Sequence, residues 1–129
     1  MESRSKDPLR EIFERDKRYA LDAYRFIFEA LDVTLKQLGR KGGHVGGRDL
    51  LEGIRQHAVE QFGGLARMVL SQWGIHRTED FGEMVFNLVD AGLMGKTDTD
   101  TKEDFRNGFD FSEAFPLVGE VRTKSKRRS

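Results

Sequence analysis

The sequence contains no cysteine, only two prolines and no long apolar run. Without cysteine there is no disulfide scaffold, no thiolate zinc site and no cysteine nucleophile. With proline confined to Pro8 and Pro116, the stretch between them is free to form long helices, because proline's absent N–H and fixed φ are what interrupt a helix interior. No segment approaches the roughly 18 consecutive apolar residues that span a bilayer. The opening residues, Met1-Glu2-Ser3-Arg4-Ser5-Lys6-Asp7, lack the apolar core of a secretory signal. The expectation from these absences is a cytoplasmic protein.

What is present suits one domain. The chain has 129 residues, 37% hydrophobic and 34% charged, enough to bury a core without metal or disulfide support. Ten Phe, two Tyr and one Trp make that core aromatic-rich. A net charge of zero hides an asymmetry. Residues 122–129 carry five basic side chains and no acid, which leaves positions 1–121 with 17 basic against 22 acidic residues, a net of −5. The expected organisation is a flexible N-terminus over 1–6, a globular domain over 7–118 and a disordered basic tail over 119–129.

Helical spacing dominates the pattern. Asp7-Pro8 predicts a helix start, with Asp as N-cap and Pro at the first position. Asp16 is a candidate cap for a second helix, in which Ala20, Ala23, Tyr24, Ile27, Leu31, Leu35 and Leu38 recur every three to four residues up to Gly39. Residues 39–47 (GRKGGHVGG) predict a flexible joint. A helix from about Asp49 presents Leu50, Leu51, Ile54, Ala58 and Phe62. After Gly63-Gly64 a shorter helix, 65–73, is expected to turn Met68, Val69 and Leu70 inward, with Gly74 ending it. Thr78-Glu79-Asp80-Phe81 predicts an N-cap hydroxyl followed by two acids in the first turn, and the helix runs to Gly92. Beyond it, Leu93–Thr97 and Phe105–Phe111 are candidate strands of a hairpin, against a competing helix starting near Thr101. The expected fold is therefore mainly α: a winged-helix-like unit of three helices (49–62, 65–73, 79–91) with a short C-terminal β-hairpin over 93–111 and an added long N-terminal helix. The alternative is an all-α helical bundle.

The stretch 62–115, with Trp73-Gly74-Ile75, Thr78-Glu79-Asp80-Phe81-Gly82 and Glu103-Asp104-Phe105, resembles a family of short conserved proteins restricted to Planctomycetes and Verrucomicrobia. Residues 18–38 resemble it too, so the likeness covers most of the chain and implies a bacterial origin. That family is uncharacterised, and the resemblance implies no catalytic, cofactor-binding or partner-binding residue.

No motif assembles a reactive centre. Gly92–Thr97 approximates a phosphate loop, but Asp90 stands where that motif needs glycine, and a helix precedes it where a strand is needed. The acidic run 98–104 fails as a calcium loop, because Lys102, Glu103 and Phe109 occupy the positions that require an oxygen ligand, a glycine and a bidentate glutamate. His44, His57 and His76 have no metal-ligand spacing. His57 and Glu60 share a helix without a nucleophile beside them, and no serine sits in a nucleophile elbow. The expectation is a non-enzyme without cofactor or metal.

Two binding functions remain. The first is a protein-docking or oligomerisation module, with Phe28, Trp73 and Phe86 as candidate contacts because they fall off the main apolar stripes. The second is nucleic-acid or ribosome association through Arg40, Lys41 and Arg48 of the glycine-rich loop and Arg122, Lys124, Lys126, Arg127 and Arg128 of the tail. Ordinary groove recognition by helix 79–91 is disfavoured. It carries Glu79, Asp80, Glu83 and Asp90 and no Lys or Arg, whereas a helix in the major groove needs Arg, Lys, Asn or Gln.

Overall fold

The computed structural model describes residues 7–39, 45–94 and 102–115. The chain is mainly α, and no strand occurs among the described residues. Helix α1 spans Pro8–Arg15, α2 Leu21–Gln37, α3 Gly47–Phe62, α4 Ala66–Gln72, α5 Thr78–Asp90 and α6 Phe111–Ala114. Two 3-10 turns, Gly63–Leu65 and Lys102–Phe105, join them. None of these helices is long and apolar enough to cross a membrane.

Local chemistry sets most of the ends. The Asp7 carboxylate accepts from the Leu9 N–H at 3.1 Å, with Pro8 following it into the first turn. Two helices stop in the same way, at glycines in the left-handed region. At Gly74 (φ 93°) the Ile75 N–H reaches back to the Leu70 carbonyl, and at Gly92 (φ 79°) the Leu93 N–H reaches the Leu88 carbonyl, both at 2.9 Å. This reverse-turn cap satisfies carbonyls that the helix end leaves open.

Helices α2 and α3 form the main packed pair, and Gly53 allows their close approach. A Cβ there would stand 1.8 Å from Thr34 Oγ1, whose hydroxyl donates to the Ala30 carbonyl at 2.7 Å. Tyr24, Ile27 and Ala30 of α2 meet Leu50, Ile54 and Ala58 of α3 in one buried core that also takes in Phe81, Met84, Val85 and Leu88 of α5.

Four expectations need correction. Asp16 does not cap α2, whose N-cap is Ala20; its carboxylate instead accepts from the Arg18 backbone and guanidinium. Thr78 is the first residue of α5 and Arg77 its N-cap. The Thr78 hydroxyl is turned to the C-terminal segment, donating to the Phe105 carbonyl at 2.6 Å and accepting from the Gly108 N–H at 2.9 Å. Met68 points outward. The seven residues of α4 bury only Ala66 and Leu70, which lie four apart on one stripe.

The fourth correction concerns the hairpin, and with it the winged-helix topology. Three helices do follow one another as α3, α4 and α5, but 102–111 forms no strand. Phe105 is wedged into a socket made by two glycines: a Cβ on Gly47 would stand 3.1 Å from its ring, and one on Gly82 3.1 Å. The segment then turns at Asn107 (φ 50°) and enters α6, where the Asp110 carboxylate accepts from the Ser112 N–H at 2.9 Å. Phe105 and Gly108 thus hydrogen-bond to the Thr78 side chain, where a hairpin would pair them with a neighbouring strand. Residues 95–101, the remainder of the expected hairpin, lie outside the described residues.

A polar seam ties α5 to the joint between α1 and α2. The Tyr19 hydroxyl donates to Asp80 at 2.7 Å, Asn87 donates to Asp16 at 2.9 Å and to the Tyr24 hydroxyl at 3.0 Å, and Arg18 approaches Glu83 at 3.4 Å. The hydrogen bond from the Arg18 guanidinium, helped by the Asn87 amide, holds the Asp16 carboxyl well below its ordinary value despite partial burial. A depressed folded-state pKa adds stability that is complete above the unfolded value, about pH 4, and is lost as pH falls through the folded one. Asp16→Asn is therefore expected to cost about 1–2 kcal/mol at neutral pH. In urea melts that deficit relative to the parent chain should shrink steadily between about pH 4 and pH 2. A deficit constant across this window would show that the carboxylate charge contributes nothing.

Candidate functional site

Helix α4 separates two surfaces of opposite character. At 100° per residue, Arg67 and Ser71 fall on one flank, Met68 and Gln72 on the outer face, and Val69 and Trp73 on the other flank. The second flank closes on an aromatic cluster. Trp73 lies 5.6 Å from Phe26 and 5.7 Å from Phe62, and Phe26 stacks on His57 at 5.0 Å. His57 pairs across to Glu29, with Nε2 at 3.0 Å from its carboxylate, so it does not partner Glu60; its Nδ1 is buried without a hydrogen-bond partner.

The corner between α3 and α4 is the exposed apolar surface. Val59 is 42% exposed, Leu65 49% and Met68 51%, with Leu38 at 41% the one other exposed large hydrophobic among the described residues. Phe62 and Trp73 back this corner, half-buried against the core. Between Gln61 and Ile75 the sole charged side chain is Arg67, in a chain that is 34% charged.

On the Arg67 flank, α4, the turn before α5 and residues 107–112 enclose an open cleft of about 690 Å³. Buried Ile75 lies at its base, and Phe109 and Phe111 supply apolar wall. Arg67, His76 and Arg77 bring basic groups to it, and Glu79 and Asp110 bring acids. Both acids are already engaged. Glu79 accepts from the Asn107 N–H at 3.2 Å, and Asp110 accepts from the Ser112 N–H and hydroxyl, which, with the nearby Arg67 guanidinium, lowers its pKa. Arg77 and His76 form no ion pair with another described residue. Among the described residues no His, Asp and Glu cluster is arranged to hold a metal ion.

Of the residues singled out from sequence, Phe28 and Trp73 are half-buried and packed on the core. Phe86 is half-buried beneath Lys102, whose ammonium lies 5.3 Å from the ring centre. The exposed apolar surface is displaced from these three to Val59, Leu65 and Met68. Arg48 is exposed near the start of α3. Arg40, Lys41, Arg122, Lys124, Lys126, Arg127 and Arg128 lie outside the described residues. The acids of α5 are largely occupied inside the molecule: Glu79, Asp80 and Glu83 hold the C-terminal segment and the α1–α2 joint, and Asp90 faces Arg15 at 3.6 Å.

No family model, curated protein or solved structure matches this chain.

Proposed function

We propose that this chain is a non-catalytic, cytoplasmic docking module that associates with a second copy of itself through the corner between α3 and α4. One observation carries the reading: three of the four exposed large hydrophobics among the described residues fall within 59–68, a stretch whose charged side chains are Glu60 and Arg67. Exposed apolar patches of this kind mark interaction sites, and Met adapts readily to a partner surface. A twofold interface sets a patch against itself. Gln61 and Gln72 beside it are uncharged, and Glu60 and Arg67 are of opposite sign, so the patch can meet its own copy without opposing a run of like charges, which is why a second copy is the favoured occupant.

The test is sedimentation velocity on the full chain, Met68→Glu and Leu65→Glu. The parent chain is expected to dimerise at concentrations on the order of 100 µM, the weak regime of small interfaces. Either variant should be monomeric with an unchanged melting temperature, since both side chains are half exposed. A parent chain that stays monomeric throughout would remove the reading.

The nucleic-acid alternative rests on the basic excess of 122–129. It predicts binding of single-stranded RNA that is lost on truncation to 1–121 and in high salt.

A further inference from the structure

We infer that Met68 is a site of reversible peroxide oxidation, and that its sulfoxide breaks the association of two copies through the corner between α3 and α4. The inference rests on that association and adds its control. The side chain that gives the corner its most exposed apolar surface is also the one an oxidant reaches first.

Sulfur in this chain is confined to methionine. There is no cysteine, so no thiol competes for an oxidant. Of the three methionines among the described residues, Met84 is fully buried in α5 and Met94 is packed, half-buried, against the core. Met68 is 51% exposed, the highest value among the exposed large hydrophobics. The phase of α4 holds it there. Ala66 and Leu70 are the buried residues of that helix, and position 68 lies about 200° from each of them at 100° per residue. Leu65, three residues earlier, is 49% exposed and Val59 42%.

The co-reactant is hydrogen peroxide. The thioether sulfur of Met68 attacks one peroxide oxygen with a lone pair, the O–O bond breaks, an S–O bond forms and, after proton transfer, water leaves. The electron pair that sulfur gives up reduces the peroxide. The product replaces a flexible apolar side chain with a polar one that carries a strong acceptor oxygen. In a single copy that oxygen stays in water, so the fold is undisturbed. Between two copies it would be set among Val59, Leu65 and Met68, side chains without a donor. Burying an acceptor that has no partner opposes association. At the weak affinity expected, single copies are always present, and in them the sulfur is open to the oxidant.

The experiment treats the full chain and Met68→Leu with hydrogen peroxide, follows each methionine by peptide mass spectrometry and measures association by sedimentation velocity. Leucine keeps the corner apolar at similar volume and leaves the other methionines open to the oxidant. Met68 is expected to oxidise about tenfold faster than Met84 or more, since Met84 reacts only when the core opens. The parent chain oxidised at Met68 should associate about tenfold more weakly than the untreated chain, the effect of one unpaired polar group at an interface. Methionine sulfoxide reductases acting on both sulfoxide epimers should restore it. Peroxide should leave the association of Met68→Leu unchanged. Three results would each overturn the inference and leave the association standing: Met84 reacting as fast as Met68, unchanged association in a parent chain oxidised at Met68, or an equal loss in Met68→Leu. An untreated parent chain that is monomeric throughout would remove the association, and the inference with it.

Discussion

Gly74→Ala is expected to be the most damaging single-methyl change in the molecule. Gly74 has φ 93°, and a Cβ there would stand 2.0 Å from the Arg18 carbonyl oxygen and 3.2 Å from its carbon. The first term, a side chain in the left-handed region, costs about 1 kcal/mol. The second has no easy escape, because the obstructing atoms are backbone in the joint whose Ala20 N–H also donates a hydrogen bond to the Trp73 carbonyl. Relief requires separating that joint from the end of α4, which disturbs the buried Tyr19 beside it. A total of about 3–5 kcal/mol is expected, at the extreme of single substitutions. Gly92→Ala isolates the first term, since φ there is 79° with nothing within 4 Å of the added methyl. Thermal melts of the two variants should therefore differ widely, with Gly92→Ala close to the parent and Gly74→Ala strongly lowered or unfolded. Equal losses would mean that the joint yields freely.

Gly53→Ala is the second large effect, and two terms oppose each other. Alanine in a helix interior gains about 1 kcal/mol over glycine. Against that, the new methyl overlaps Thr34 Oγ1 at 1.8 Å and crowds Thr34 Cβ at 3.1 Å and the Ala30 carbonyl oxygen at 3.3 Å. Rotation of Thr34 removes only the first contact and breaks its bond to Ala30, so α2 and α3 must also part. Overpacking of this sort costs about 1–3 kcal/mol beyond any propensity gain, and a melting temperature lower by about 5–10 °C is expected. Adding Thr34→Ala should restore part of the loss. A double variant as unstable as the sum of the singles would place the strain elsewhere.

The parts of the fold legible in the sequence were those decided within a few residues. Asp7-Pro8, Gly39, Gly74 and Gly92 all mark helix ends, because caps and left-handed turns depend on local backbone chemistry. Thr78 shows where this stops. Its hydroxyl fits an N-cap by composition, but in the structure it serves Phe105, 27 residues away. Likewise the partial alternation of Phe105, Phe109 and Phe111 suggests a strand, whereas Phe105 is placed by glycines in α3 and α5 that no local pattern connects to it. The inward placement that the sequence predicts for Met68 fails because a seven-residue helix contains too few apolar positions to fix its phase. The cleft was illegible for the same reason as the socket: Arg67 and Ser112 are distant in sequence, and His76 alone resembles an ordinary surface histidine. Asn107-Gly108 is a turn signal in the sequence; the cap that Asp110 supplies to Ser112 emerges only in the structure.

The polar seam along α5 also bears on how the chain assembles as it emerges from the ribosome. Its hydrogen bonds and ion pair join residues 61, 63, 65 and 71 positions apart. Closing loops of this length carries an entropic cost of a few kcal/mol before any contact forms. Until Asn87 has been synthesised, the hydroxyls of Tyr19 and Tyr24 and the carboxylate of Asp16 lack the partners that α5 supplies. Helices α2 and α3 can pair early through Gly53, but the α1–α2 joint must wait. Final ordering of the α1–α2 joint is thereby coupled to completion of α5, although it stands far earlier in the chain.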